Sequence, residues 1–313
     1  MVPGGRYRRV ATGVAATATP DRSGDLAASP VVPRARRTRF APAPTGFLHL
    51  GHVANALWVW GAAREARARV LLRIEDHDRQ RSRAAFDAAI LEDLAWLGFV
   101  ADEGPVRQTD PEGLSAFDSG FARLTAQDLV YRCACTRSTF AAWARDHGRD
   151  WTGPGCPGAC RSRTLPGDAA TSLRVAVGAG PEAFDDLLVG PQTGEPAVTG
   201  DVVVRDRAGN WTYGFAVVVD DLQQDIDLVV RGEDLLQDTA RQIRLGRLLG
   251  RDEPPRFLHH PLIRKPSGAK LSKSDGDTGV RDLRTTGRTA DDVRAEAARR
   301  GRVPATIAQA QPS

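Results

Sequence analysis

Every lysine of this 313-residue chain falls in one short stretch, RKPSGAKLSKS, as Lys265, Lys270 and Lys273. Elsewhere the positive charge is arginine. An ammonium is a compact point charge with rotatable donors, suited to a phosphate that moves during a reaction, whereas guanidinium is a rigid planar fork. The small residues around it (Ser267, Gly268, Ala269, Ser272, Ser274) let the backbone approach an anion. Alone, KLSK reads equally well as a solvated basic loop. A second anion site lies far upstream in APAPTGFLHLGH, where His49 and His52 stand three apart around Gly51. At the start of a helix that spacing puts both imidazoles on the first turn, where backbone N–H groups and the dipole favour negative charge. Gly51 would let an adenine or ribose pack on the backbone.

A third constellation is thiol chemistry. Cys133 and Cys135, then Cys156 and Cys160, form C-x-C and C-x-x-x-C pairs, and the chain has no other cysteine. Without a secretory signal a disulfide framework is disfavoured. Two close pairs, the second inside the turn-forming GPGCPGAC, suit a tetrahedral thiolate site for one structural zinc. With all four positions filled by protein, such a metal would hold a module together and leave no place for a substrate. Ordinary reduced cysteines and redox use are the competing readings.

These groups need elements to position them. TRFAP at 38–42 reads as a short strand entering a Pro-Thr-Gly turn, and the run from Leu50 has apolar residues at helical spacing. VLLRIED at 70–76 is an apolar strand ending in charge, as a buried parallel strand meeting a ligand would be. Residues 83–99 form a second amphipathic helix. This order implies a βαβ unit with its crevice at the strand C-termini. Residues 100–185 read as an irregular insertion that carries the cysteines. Strand signals resume at DVVVRD (201–206) and TYGFAVVVDD (212–221); DLVVRGEDLL then leads into a helix over 238–250, and RFLHHPLI into the lysine loop. A last helix is expected in ADDVRAEAARR.

Composition excludes more than it selects. With 41% hydrophobic and 26% charged residues the chain suits a soluble globular protein, and no apolar run is long enough to span a membrane. The formal charge of +4 does not imply a nucleic-acid surface, because residues 1–37 hold seven arginines against two aspartates and leave the remainder slightly acidic. That Pro-, Gly-, Ala- and Thr-rich segment is expected to be disordered and lacks the apolar core of a signal peptide.

HLGH and KLSKS, in this order, resemble the two ATP signatures of the class I aminoacyl-tRNA synthetases. RFAPAPTGFLHLGH, LLRIEDHD, LEDLAWLGF with DEGPVRQTD, and YGFAVVVDD followed by LVVRGEDLL resemble the catalytic core of glutamyl-tRNA synthetases across roughly residues 38–275. The resemblance implies an α/β fold, a class I Rossmann-like parallel sheet with an inserted zinc-binding module. Residues 38–105 would form its first half, 106–185 the module, 186–280 the second half with the KLSKS loop, and 281–313 a short tail. It also implies a glutamate pocket of Arg39, Ala41, Ala43, Glu75, Tyr213 and Arg231, and an ATP site of His49, Gly51, His52, Lys270, Ser272 and Lys273. The chemistry agrees: glutamate offers two carboxylates and an ammonium, so a pocket needs two arginines and one acid. Ala43 departs from the family's usual serine and removes a hydroxyl beside the amino acid. Cys156 stands where the family places a tyrosine ligand. Asp76 and Asp78 are left without a role.

In the implied chemistry the α-carboxylate of glutamate attacks the α-phosphate of ATP, so positioning and charge stabilisation replace a general base. His49, His52, Lys270 and Lys273 would be the catalytic groups, with Mg²⁺ accompanying ATP. The chain is too short after KLSKS for the helical anticodon-binding domain of full-length relatives. It therefore resembles the family's truncated members, which place glutamate on the queuosine base of tRNA(Asp). No base for that transfer is evident. Charging of tRNA(Glu) and a non-catalytic tRNA-binding role are the alternatives. A cytoplasmic monomer without membrane contact is expected.

Overall fold

The computed structural model describes residues 30–146, 155–167, 169–264 and 279–308; Lys265, Lys270, Ser272 and Lys273 lie outside the described residues. The expected disordered segment ran to residue 37, but residues 30–37 are described and Arg37 already begins a strand. Strands β1 (Arg37–Phe40), β2 (Arg69–Ile74) and β3 (Glu103–Arg107) pair in parallel in that order. They are joined by α1 (Leu50–Ala66) and α2 (Ala84–Trp96). This is the expected βαβ unit. Its core combines β1 and β2 with Val53, Leu57, Trp58 and Val59 of α1 and Ile90 and Leu94 of α2.

The expectation of an irregular 100–185 segment is overturned. After β3 the chain forms α3 (Pro111–Thr125), β4 (Val130–Cys133), α4 (Arg137–Asp146), β5 (Ser172–Val175) and β6 (Glu182–Asp186). β7 (Gly190–Gly194), α5 (Pro196–Thr199) and β8 (Val202–Arg205) follow. β4, β5 and β8 make an antiparallel sheet that carries the cysteines. Its strands are only four residues long, too short to show a period against their glycine- and proline-rich surroundings.

Residues 212–221 were expected to be a strand and are instead helix α6 (Tyr213–Gln223). A run of valines favours strands. Here Phe215, Ala216 and Val217 enter a second core with Phe117 and Leu124 of α3 and Val202 and Val204 of β8. Asp220 and Asp221 are buried on another side. A helix covered all round shows no 3.6-residue period, so its sequence mimics a buried strand.

β9 (Leu228–Gly232), α7 (Thr239–Leu248) and β10 (Arg256–His260) complete the second half. β10 pairs in parallel with β9 and with β6, while β6 pairs antiparallel with β7. Asp227, just before β9, donates its N–H to Arg37 O and accepts the N–H groups of Arg36 and Arg37, which ties the two halves together. Beyond the lysine stretch, α8 (Val280–Thr285) packs against α9 (Ala290–Arg300), and α9 and α10 (Ala305–Ala308) fold back on α1. The segment re-enters beside HLGH: Val280 N–H donates to Leu48 O at 2.8 Å. No helix among the described residues is long and apolar enough to cross a membrane.

Candidate active site

HLGH forms the N-terminus of α1 as a reciprocal cap. His49 Nδ1 accepts from Gly51 N–H at 3.1 Å, and His52 Nδ1 accepts from His49 N–H at 3.1 Å. A ring nitrogen that accepts is bare, so each neutral imidazole carries its proton on Nε2. The two rings lie 3.9 Å apart and present donors rather than acceptors from Nε2. Gly51 has a role beyond the one expected for it. A Cβ there would stand 2.9 Å from His49 Cε1, so glycine lets the imidazole fold over its own helix end. The N–H groups of Gly51, His52 and Val53 are engaged by His49, so what this helix end presents to an anion is the positive end of its dipole and the two Nε2 protons.

The residues expected to bind an amino acid converge at the ends of β1, β2 and β9. Glu75 N–H donates to Pro42 O at 3.0 Å, which sets this acid beside the turn carrying Ala41 and Ala43. Arg39 is buried, with Nε donating to Asp221 at 3.0 Å and Nη1 to Val230 O at 3.3 Å. Tyr213, at the first turn of α6, lies within electrostatic reach of Arg231, Glu75 and Arg39, and burial pushes its phenol up. Tyr213 thus couples electrostatically to the other three groups.

Sequence reasoning missed the cation that organises this pocket. Arg73 is fully buried and donates to Asp221 at 2.8 Å, Gln224 at 2.9 Å and Glu75 at 3.0 Å. Burial alone would lower its pKa, but Asp221, Asp220 and Glu75 outweigh that and raise it. Burial likewise works against the Asp221 carboxylate, yet Arg39 and Arg73 hold it below the usual range. Asp220 is pushed up to about 6 by burial, against the pull of Arg73 and a 2.6 Å bond from Gln108. The signals were an arginine inside the apolar strand VLLRI and a pair of aspartates closing an apolar run.

Arg231 differs from Arg39 and Arg73. It is 5% exposed, and its partners are His259, Gln242 and Thr239, all neutral when His259 carries no proton. Burial lowers its pKa. Among the described residues no carboxylate forms an ion pair with it, so its charge is available to an incoming anion.

Beside this network a cleft of ≈ 270 Å³ is lined by His77, Arg79, Gln108, Thr109, Arg205 and Trp211. His77 Nδ1 lies 2.6 Å from Gln108 Oε1, and Gln108 reaches Asp220, so the cleft adjoins the charge network of Arg73. The Arg205 guanidinium stacks 3.6 Å from the centre of the Trp211 ring.

The four cysteines meet as expected. Their sulfurs are buried and lie within 4.8 Å of one another, Cys135 at 3.8 Å from Cys156 and 3.3 Å from Cys160. Metal–sulfur bonds of about 2.3 Å in a tetrahedron require sulfurs roughly 3.8 Å apart, so this cage fits one ion of zinc's size and preference. Asp201 braces the cage: it accepts from Tyr131 Oη at 2.5 Å and Arg161 Nε at 2.7 Å, and its N–H donates to Cys156 O.

Comparison with known proteins follows the same lines. Residues 35–309 match the family of class I tRNA synthetases (E and Q), catalytic domain. The glutamyl-Q tRNA(Asp) synthetase of Symbiobacterium thermophilum is 42% identical over 82% of this chain and 83% of its own length. Glutamate–tRNA ligase 2 of Syntrophus aciditrophicus is 38% identical over 80% of this chain, which spans only 54% of that protein. Among solved structures, a glutamate tRNA ligase from Elizabethkingia meningosepticum in complex with its amino acid superposes with a TM-score of 0.69, at 26% identity, over 89% of this chain and 64% of the other.

Proposed function

This chain belongs to the class I glutamyl- and glutaminyl-type tRNA synthetases by its catalytic domain, and from that footing we propose that it activates L-glutamate with ATP and transfers it to the queuosine base of tRNA(Asp). The observation that carries the amino-acid half is Arg231, a buried cation with neutral partners, facing a pocket it shares with Arg39, Glu75 and Tyr213. A side-chain carboxylate on Arg231 satisfies its charge. The Nη2 group of Arg39 has no partner among the described residues and adds further donors. Glu75 takes the α-ammonium, and Tyr213 supplies a directional hydroxyl. Without the Ala43 side-chain hydroxyl, the turn after β1 contributes backbone groups only.

ATP phosphates rest at the HLGH end of α1, on the Nε2 donors of His49 and His52 and the positive end of the helix dipole. Lys270 and Lys273, with Ser272, follow the pyrophosphate as charge develops, and Mg²⁺ accompanies ATP. The cysteines hold one structural zinc. The cleft beside Gln108 suits a nucleobase, because stacked guanidinium and indole groups and side-chain amides recognise splayed-out bases. Resemblance to the Symbiobacterium protein over most of its length favours the queuosine base over the end of tRNA(Glu).

Pyrophosphate exchange into ATP, run over a panel of amino acids with and without tRNA, tests the first step. Glutamate-dependent exchange is expected; its absence from zinc-loaded protein sinks the proposal. The second step is tested by charging. Glutamate should attach to tRNA(Asp) only when queuosine is present, through a base-labile ester, and prior periodate oxidation of the tRNA should abolish the charging. Charging of tRNA(Glu) instead would establish the rival reading.

A further inference from the structure

Arg231 on β9 and His259 on β10 are register partners across the parallel pair. Arg231 Nε–H donates to His259 Nε2 at 3.0 Å, Nη1 to Gln242 Oε1 at 2.6 Å and Nη2 to Thr239 Oγ1 at 2.8 Å. A ring nitrogen that accepts an N–H must be bare, so the proton of the neutral ring sits on Nδ1. There it donates to Asp186 Oδ2 at 2.6 Å. Asp186 is itself fixed by the backbone N–H groups of Leu188, Val189 and His259 at 3.0, 2.8 and 3.1 Å. Both side chains of this dyad are fully buried. Below them Phe257 lies nearly parallel to the imidazole and 5.3 Å from the guanidinium.

We propose that His259, held by Asp186 with its proton on Nδ1, is a positioning residue for Arg231 and thereby sets the preference for a carboxylate over an amide at the end of the amino-acid side chain. The inference rests on the assignment of Arg231 to the substrate carboxylate. A guanidinium has five N–H donors. Three are engaged here, which leaves one on each terminal nitrogen for the substrate. A carboxylate in place of the imidazole would orient Arg231 equally well but would cancel its charge and compete with glutamate. A neutral acceptor orients the cation and leaves the charge uncancelled. A proton on Nε2 would turn to Thr239 Oγ1, 3.1 Å away, and would leave the Arg231 Nε–H without its acceptor. Burial lowers the imidazole pKa; Asp186 opposes that, and Arg231 and Arg39 reinforce it, so the ring stays neutral. Glutamine would bring an NH₂ group against the remaining donors, and the pocket would reject it for want of an acceptor.

Two substitutions separate positioning from packing. His259→Asn keeps an amide N–H for Asp186 but has no acceptor at the Nε2 position. His259→Gln places a carbonyl oxygen there. In pyrophosphate exchange, His259→Asn should raise the KM for glutamate about tenfold or more, as expected for a lost hydrogen bond to a charged group. It should narrow the glutamate-to-glutamine ratio of kcat/KM by a similar factor and leave the KM for ATP unchanged. His259→Gln should recover most of both losses. Unchanged glutamate kinetics in His259→Asn, or equal impairment in the two variants, overturns the proposal. Should His259→Asn fail to fold, the ¹⁵N shifts of histidine-labelled wild-type protein decide: a protonated Nδ1 and bare Nε2 at His259 are expected, and the opposite tautomer overturns it. If the wild-type chain shows no glutamate-dependent exchange, the assignment of Arg231 fails, while the tautomer remains readable by itself.

Discussion

At the scale of single residues the cluster at the ends of β1, β2 and β9 is a problem of charge matching in a buried place. Arg39, Arg73 and Arg231 sit with Glu75, Asp220 and Asp221, and only Arg231 lacks an acid within ion-pair distance among the described residues. Arg73 is the structural member of the set. Removing one partner of a buried charge network leaves the others uncompensated, which costs about 3–5 kcal/mol. Arg73→Met, close in length and without charge, is therefore expected to lower the stability of the chain by that order, as measured by urea unfolding at neutral pH. The loss should shrink in acid, as Asp220 takes up its proton near pH 6 and needs the cation less. A variant as stable as wild type would mean that these carboxylates are protonated or solvated without Arg73. Arg39 and Arg231 were named from the resemblance to the glutamyl-tRNA synthetase core, with which a substrate of two carboxylates agrees. Arg73 was not, because an arginine in a strand reads as an edge or a surface group until its three acids are in place.

At the scale of elements, what could be read was what run length and bounding residues marked. β1, α1, β2 and α2 declared themselves through apolar runs and punctuation, and the helix at 290–300 through its acidic start and basic end. α6 was misread because its valines and aspartates are buried on every side, against a core and against guanidinium groups. α2 holds another buried acid. Asp93 is 1% exposed, its Oδ2 has no hydrogen-bond partner, and burial pushes its pKa up to about 6 although Arg281 and Arg284 of α8 pull it down. A carboxyl whose folded pKa exceeds its unfolded value binds more protons when folded, so its contribution to stability is lost as pH rises through about 4 to 6. Asp93→Asn removes that charge at little change of volume. It should stabilise the chain by about 1–3 kcal/mol at pH 7 and by almost nothing at pH 4. Melting curves at both values check this, and an equal gain at the two would assign the effect to packing.

At the scale of the whole molecule the cysteine cage and the buried charge network of Arg39 and Arg73 are joined by one short path. Asp201 bonds to the Cys156 loop, to Tyr131 on β4 and to the N–H of Val177 beyond β5. It leads directly into β8, whose Val204 O accepts the N–H of Thr212, the residue that starts α6. The first turn of α6 carries Tyr213, and its last turns carry Asp220 and Asp221. The HLGH turn takes its support from β1, α1 and the segment that enters α8, and β1 meets this path only at its far end, where Arg39 donates to Asp221. Thiolate–metal bonds are the strongest cohesion available to a sheet of four-residue strands, and small metal modules lose their fold with the ion. Chelation, or Cys133→Ser, should therefore remove one zinc per chain and lower the melting temperature. It should raise the KM for glutamate severalfold and move the KM for ATP much less. Metal content, melting curves and the two KM values on the same sample test it. Equal losses for both substrates would show that the module supports the molecule at large, and an unchanged KM for glutamate would cut the path at Thr212.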